Sequence, residues 1–313
     1  MSKGVTVVYA YLGPVGTFTW TALGQVPEAE GHEWLPVNNV GDALASLVDG
    51  RADAAMIAVE NSVEGGVSAA QDALAQSSGL QILGEYLVPV NFDVVVRPGT
   101  ALADVHVVAA HPVAYAQCRQ WLEAHVPHHQ HMPATSNVSA ALDVAAGRHG
   151  DAAIAPAGFQ EHADVATLAT LVGDNPSAVT RFVLIGRRRA VAPRTGTDKT
   201  TVIVELPDDR PGGLLEMLEQ FATRGVNLSL LESRPIGDAL GRYRFVIDID
   251  GHIEDERVAD ALLGLKRYSP GLQFLGSYRR ADGYTPTVAE QYSDTAFVDA
   301  RAWLDRLIAG KEG

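Results

Sequence analysis

Short apolar runs alternate along the chain with stretches whose apolar residues recur every three or four positions, the pattern of an α/β fold. Strands are predicted near 5–11, 34–37 and 54–59 in a first lobe, and near 105–110 and 151–155 in a second. Two helix-to-strand segments resemble each other, DALASLVDGRADAAMIAVEN at 42–61 and SAALDVAAGRHGDAAIAPAG at 139–158. Each carries Ala, Leu and Val at helical spacing, then Gly-Arg, then Asp-Ala-Ala leading into an apolar strand. Gly50 and Gly147 suit the left-handed position that ends a helix. The two copies predict two related lobes. Between them runs an alternating apolar segment (Leu87, Val88, Val90, Phe92, Val94, Val95, Val96). The run Phe182-Val183-Leu184-Ile185, closed by Gly186, reads as a buried parallel strand that returns after the second lobe.

A different pattern follows the basic, turn-rich stretch RRRAVAPRTGTDKT, which reads as a linker. TTVIVEL alternates as a strand does. PGGLLEMLEQFATRGV opens a helix on Pro-Gly and sets Leu214, Leu215, Leu218, Phe221 and Ala222 on one face. NLSLLESRPI and GRYRFVIDIDG give two more strands, the latter through Tyr243, Phe245, Ile247 and Ile249. An amphipathic helix, IEDERVADALLGLKRY, and a last strand, LQFLGSYRR, complete a β-α-β-β-α-β order, which is ferredoxin-like. The predicted organisation is a domain over 1–190, with lobe 1 about 1–88 and 180–190 and lobe 2 about 89–179. A ferredoxin-like domain over 198–280 and a helical tail over 281–313 follow.

Composition removes several function classes. The length of 313 residues suits two domains, and 47% hydrophobic with 20% charged residues is ordinary globular composition. No apolar run is long enough to span a membrane, and the N-terminus lacks the apolar core of a signal peptide. A single cysteine, Cys118, forbids an internal disulfide and fits a reducing cytoplasm, where the protein is expected to reside. The net charge of −14 argues against nucleic acid, which needs a basic face. A small carboxylate remains compatible, because helix N-termini and local donors can hold it whatever the global charge. No dinucleotide, P-loop, zinc-protease or nucleophile-elbow motif is present, so no cofactor is expected.

The polar residues at strand ends are the candidate chemistry. GPVGTFT (13–19) ends the first strand and offers Thr17 at a helix start, as a plain cap or as a carboxylate cradle. AVENS (58–62) sets Glu60, Asn61 and Ser62 after apolar residues, as an Asx-turn or as a reactive cluster. In HPVAYAQC (111–118), His111-Pro112 suits a helix start. Gln117 faces cleft or solvent, and Cys118 reads as a small buried apolar residue rather than a nucleophile. HVPHHQH (125–131) has spacings that fit no single helical face and is read as loop, with no metal expected. Thr135, Ser136 and Asn137 read as capping residues first and ligand contacts second. Thr180-Arg181 place a hydroxyl and a permanent cation at the mouth of an apolar strand, more than a strand start requires.

In chain order, YLGPVGTFT, AVENSVEGGV, HPVAYAQC, the helix start at 136–147, AVTRFVLIG, PGGLLEML and LLESRP resemble the prephenate dehydratase family, over about 280 of the 313 positions. The resemblance implies a two-lobed, periplasmic-binding-protein-like catalytic region and a C-terminal ACT-type regulatory domain. It implies conversion of prephenate to phenylpyruvate, carbon dioxide and water in phenylalanine biosynthesis, without a cofactor. Thr180 then points its hydroxyl at the departing oxygen, Arg181 holds a substrate carboxylate or braces the cleft, and Phe182 walls the ring. The proton comes by a relay from Glu60 or from a water held by Asn61 and Ser62, with a structural role the alternative for Glu60, and Thr17, Gln117 and Ser136 are candidates for substrate hydrogen bonds. By the same resemblance Gly212-Gly213-Leu214 and Glu232-Ser233-Arg234-Pro235 form an L-phenylalanine effector site at the interface of a homodimer or homotetramer. Three positions depart from the family pattern: Gly213 stands for the commoner alanine, Ala110 for the serine before His-Pro, and Asn175 lies farther from Thr180 than usual. Arogenate dehydratase and a non-catalytic ACT-containing amino-acid sensor are the alternative readings.

Overall fold

Gly50 and Gly147 take positive φ, +73° and +66°, and each closes the helix that the repeat predicts. The computed structural model describes residues 6–208, 210–237 and 242–311, so Val5, at the predicted start of the first strand, lies outside the described residues. The first elements are β1 (Val8–Leu12), α1 (Phe18–Leu23), β2 (Glu33–Val37), α2 (Val40–Val48), β3 (Ala54–Asn61), β4 (Gly65–Gly66), α3 (Ser68–Gln76), β5 (Leu80–Pro89) and β6 (Phe92–Val96). Next come β7 (Val107–Ala110), α4 (Pro112–Gln117), α5 (Arg119–His125), β8 (Gln130–Pro133), α6 (Asn137–Ala145), β9 (Ala152–Pro156), β10 (Ala166–Ala169) and β11 (Val179–Arg187). The last are β12 (Asp198–Glu205), α7 (Gly213–Ala222), β13 (Leu228–Pro235), β14 (Tyr243–Asp250), α8 (Glu256–Tyr268), β15 (Leu272–Arg279) and α9 (Asp294–Ile308). The chain divides into two compact units, Met1–Val67 with Tyr86–Phe182, and Ser68–Glu85 with Val183–Gly313.

Two sheets are ordered β2-β1-β3-β11-β5, with β4 beside β3, and β10-β6-β9-β7-β8. In each, a central strand pairs parallel with both neighbours, β1 with β2 and β3, and β7 with β8 and β9. The repeated aspartate explains itself here. Asp53 Oδ2 accepts from Val8 N–H at 3.0 Å, and Asp151 Oδ2 accepts from Val107 N–H at 2.9 Å. Each carboxylate thus satisfies the N–H at the start of the neighbouring strand, which otherwise lacks a ladder partner. The alanines that follow, Ala54-Ala55 and Ala152-Ala153, are buried in both copies. Two apolar clusters, one around Phe92, Val94, Cys118, Leu122 and Ile154 and one around Val138, Val144, Ala153 and Phe159, fill the second lobe.

One expectation is corrected. The end of β3 meets the start of β11 in opposite order: Glu60 bonds to Arg181, Asn61 to Thr180, and Ser62 to Val179. β11 therefore runs antiparallel to β3, although its apolar run reads like a parallel strand. Burial on both faces, not strand direction, produces such a run, since the side chains of residues 180–185 are all buried.

The second unit contains the β-α-β-β-α-β module, with sheet order β13-β14-β12-β15 and antiparallel pairing throughout. Val202, Val204, Met217, Phe221, Ile247, Val258 and Leu265 form its core. The predicted face of α7 is shifted. Gly213, Met217 and Phe221 point inward, whereas Leu214 and Leu215 are 40% and 60% exposed. Gly212 caps α7 in the left-handed region at φ +86°, and the first helical residue, Gly213, is buried beneath the Tyr268 hydroxyl. Within this unit Gln273 Nε2 donates to Leu74 O and Ser77 O, and the buried Lys199 Nζ donates to Glu85 Oε2 at 2.7 Å. α9 buries no residue fully. No helix among the described residues is long and apolar enough to cross a membrane.

Candidate active site

Antiparallel pairing of β3 and β11 brings the polar end of one strand onto the polar start of the other. Asn61 Nδ2 donates to Thr180 Oγ1 at 3.0 Å, and Asn61 Oδ1 accepts from Val63 N–H at 2.8 Å. The asparagine is therefore both the Asx-turn and the holder of the threonine hydroxyl. Because Thr180 Oγ1 accepts from Asn61, its own proton is directed away from Asn61. Thr180 and Phe182 both line a cavity of about 420 Å³. Phe182 is 1% exposed and forms an apolar wall.

Both lobes contribute to this cavity. The first supplies Thr17, Asn38 and Asn61 beside Thr180, and the second supplies His111, Thr135, Ser136 and Asn137. Thr17 caps α1: it donates to Leu12 O at 2.8 Å and accepts from Trp20 N–H at 3.2 Å. Ser136 caps α6 by accepting from Ser139 N–H at 3.0 Å, and it also bonds to Ser139 Oγ. These hydroxyls are largely committed to the helix starts, so what α6 offers the cavity is the positive end of its dipole. Gly16 lets the first-lobe loop approach the second. Its φ is +86°, and an added Cβ would lie 2.9 Å from the Phe159 ring.

Other expected site residues stand behind the cavity rather than on its lining. Arg181, 7% exposed, donates from Nε to Glu60 Oε2 at 2.7 Å. This pairing offsets the carboxylate that would otherwise repel an anionic ligand. Ser62 ties the two strands together: its Oγ accepts from Val179 N–H at 2.9 Å, and its own N–H donates to Val179 O at 2.9 Å. Gln117 accepts Asp174 N–H at its backbone oxygen and is not on the lining. Cys118 is fully buried, and burial pushes its thiol up to about 12, with Asp174 adding to the shift. Three of the four histidines of 125–131 have hydrogen-bond partners here: His125 Nδ1 bonds to Trp121 O, His129 Nε2 to the Tyr115 hydroxyl, and His131 Nε2 to Ala110 O. Asn175 Oδ1 accepts from Ser177 N–H, which makes it a turn residue.

Sequence reading missed His111, Asn38 and Glu64 as lining residues. For His111 the signal was present, since a histidine just before a helix-opening proline is an N-cap with its ring held at the helix mouth.

In the second unit, Gly212 and Gly213 open α7, and the Tyr268 hydroxyl donates to Gly213 O at 2.9 Å. On β13 the side chains alternate, with Glu232 and Arg234 half-buried and Ser233 and Pro235 exposed. Arg234 forks onto Asp72, at 3.0 Å from Nε and 2.7 Å from Nη2, and donates to Ser68 Oγ at 3.0 Å. The guanidinium holds the Asp72 carboxyl below the usual range.

The family profile described as Prephenate dehydratase matches residues 9–190, and the one described as ACT domain matches 200–267. The chain is similar to a prephenate dehydratase of Mycolicibacterium vanbaalenii, with 41% identity over 317 residues that cover 96% of this chain and 98% of the relative. Among solved structures it is similar to the Arthrobacter aurescens prephenate dehydratase in complex with L-Phe. That likeness has a TM-score of 0.92 at 49% identity and covers 97% of this chain and 100% of the other. It is also similar to GqqA, described as a novel type of quorum quenching acylase, with a TM-score of 0.77 at 32% identity over 87% of this chain and 97% of that one.

Proposed function

The chain belongs to the prephenate dehydratase family, and we propose that its interlobe cavity converts prephenate to phenylpyruvate, carbon dioxide and water. Its fold is the two-lobed, periplasmic-binding-protein-like catalytic region followed by an ACT domain. The observation that carries the reading is the Asn61–Thr180 hydrogen bond at the cavity wall, which leaves the threonine proton to be donated.

The reaction breaks two bonds of one ring. As the C–CO₂ bond cleaves, its electron pair enters the ring, and the ring expels the hydroxyl at the para carbon. Aromatisation supplies the driving force, so the enzyme must orient both bonds and stabilise the departing oxygen. Thr180 donates a hydrogen bond to that oxygen as negative charge gathers on it, and solvent supplies the net proton that turns hydroxide into water. Phe182 receives the flat ring. Glu60 and Arg181 hold each other and thereby fix the start of β11, while Ser62 locks the strand pair. Thr17 and Ser136 shape the cavity through the helix starts they cap, and Gln117 holds the segment at Asp174 through its backbone oxygen.

Regulation by L-phenylalanine is part of the proposal, at Gly212, Gly213, Leu214 and the Glu232–Pro235 strand, in a homo-oligomer of the cytoplasm. The exposed Leu214 and the open space above Gly212, where an added Cβ would meet nothing within 4 Å, leave room for an effector carboxylate at the start of α7. The catalytic domain is assigned to 1–190, the ACT domain to 198–280 and the tail to 281–313.

Purified protein incubated with prephenate, and separately with arogenate, tests the reading, with and without L-phenylalanine. Phenylpyruvate formation that responds to L-phenylalanine is the expected result. Faster turnover of arogenate to phenylalanine would reassign the substrate, and ligand binding without turnover of either would reduce the protein to a sensor.

A further inference from the structure

The cavity lacks the group most expected of a site for a dianion. Among the described residues its lining contains neither lysine nor arginine, and only Glu64 and His111 carry ionisable side chains. His111 is held at two points. Its backbone N–H donates to Asn137 Oδ1 at 2.9 Å, which joins the starts of α4 and α6, and its Nδ1 accepts from Val113 N–H at 3.3 Å. An imidazole that accepts at Nδ1 carries its proton at Nε2 when neutral. The ring therefore presents a fixed N–H donor.

Substrate geometry says which end that donor meets. In prephenate the hydroxyl sits at one pole of the six-membered ring, and the carboxylate and pyruvyl side chain share the opposite carbon. With the hydroxyl at Thr180, on the first lobe, the other pole extends toward the second-lobe residues, among which His111 and the α6 start are found. Of the two anionic groups there, the ring carboxylate must become neutral carbon dioxide. Binding it tightly would stabilise the ground state over the transition state. The pyruvyl group keeps its charge and shape throughout, so a donor to it costs nothing at the chemical step.

Resting on the dehydratase reading above, we propose that His111 Nε2–H binds the α-keto acid side chain and makes the site selective for a keto rather than an amino side chain. A keto oxygen accepts from Nε2–H, whereas the ammonium of arogenate sets donor against donor at the same place. The role is one of substrate selection, distinct from the hydroxyl assistance at Thr180.

Two variants separate this role from helix capping. His111→Asn keeps an acceptor near the Nδ1 position for Val113 N–H but has no atom at Nε2, and His111→Gln reaches the Nε2 position with an amide donor. The expected result for His111→Asn is an unchanged melting temperature, a KM for prephenate raised about tenfold, and kcat within about threefold of wild type. The rise in KM should be smaller for arogenate, and His111→Gln should recover part of the loss for prephenate. Calorimetric binding of phenylpyruvate, which has the same side chain, should weaken in His111→Asn by a similar factor. Wild-type KM and wild-type phenylpyruvate affinity in His111→Asn would overturn the inference while leaving the dehydratase reading standing. An equal rise in KM for both substrates would also overturn it. A wild-type protein inert toward prephenate would overturn the dehydratase reading itself.

Discussion

Replacing Thr180 with valine removes the proposed donor and nearly nothing else. The side chain is 8% exposed, and valine keeps the β-branched shape that the strand packs around. The stability cost is that of leaving Asn61 Nδ2 without its 3.0 Å acceptor, about 1 kcal/mol for a half-buried neutral donor. The catalytic cost is larger, because the hydrogen bond strengthens as the departing oxygen gains charge. Donors aimed at developing charge contribute roughly 3–4 kcal/mol, so kcat should fall about 100- to 1,000-fold. KM should change little, since the bond is weak in the ground state. Steady-state phenylpyruvate formation, with melting curves to show that the variant folds, measures both quantities. Thr180→Ser should retain most of the activity. If Asn61 acts only by orienting this hydroxyl, Asn61→Ala should add nothing once Thr180→Val is present. A Thr180→Val enzyme with kcat within about threefold of wild type would refute the donor role.

Three further outcomes follow from the same contacts. Glu60→Gln weakens the ion pair that fixes Arg181 and should lower stability by about 1–2 kcal/mol by thermal or urea unfolding, with kcat reduced through a displaced Thr180. Gly213→Ala should be tolerated, because an added Cβ would sit 3.5 Å from Asp208 O, an ordinary contact. Helix propensity should then raise stability by up to about 1 kcal/mol, whereas Gly212→Ala, at φ +86°, should lower it. Arg234 depresses the Asp72 carboxyl, so the stability this pair contributes is present above the ordinary carboxylate range and is lost as pH falls through the lowered value. Asp72→Asn should be less stable than wild type near neutral pH by no more than about 1 kcal/mol, the exposure of the pair limiting the effect, and the gap should close in acid melting curves. If Arg234 also serves the effector site, the same variant should shift the L-phenylalanine concentration that half-saturates the response.

The repeat, the β-α-β-β-α-β order and the polar strand ends AVENS and Thr-Arg-Phe were legible in the chain, because apolar periodicity, helix-ending glycines and strand-end polar residues are local signals. Local signals carry no strand direction. The run 182–185 reads parallel because it is buried on both faces, and only its pairing with β3 shows it to be antiparallel. The roles inside AVENS also needed that pairing. Asn61 faces Thr180, Glu60 faces Arg181 and Ser62 faces the backbone of Val179, so three adjacent polar residues take three different tasks. Leu214 and Leu215 were misplaced for a related reason: a left-handed cap sets the rotation of α7, and one residue of slip turns a predicted core face outward. His111 was visible as the residue before a proline. The Val113 N–H that fixes its proton at Nε2 is also local, but the bond that ties its backbone to the start of α6 comes from an asparagine 26 positions away, and hydrogen bonds across such separations exist only once the chain has folded.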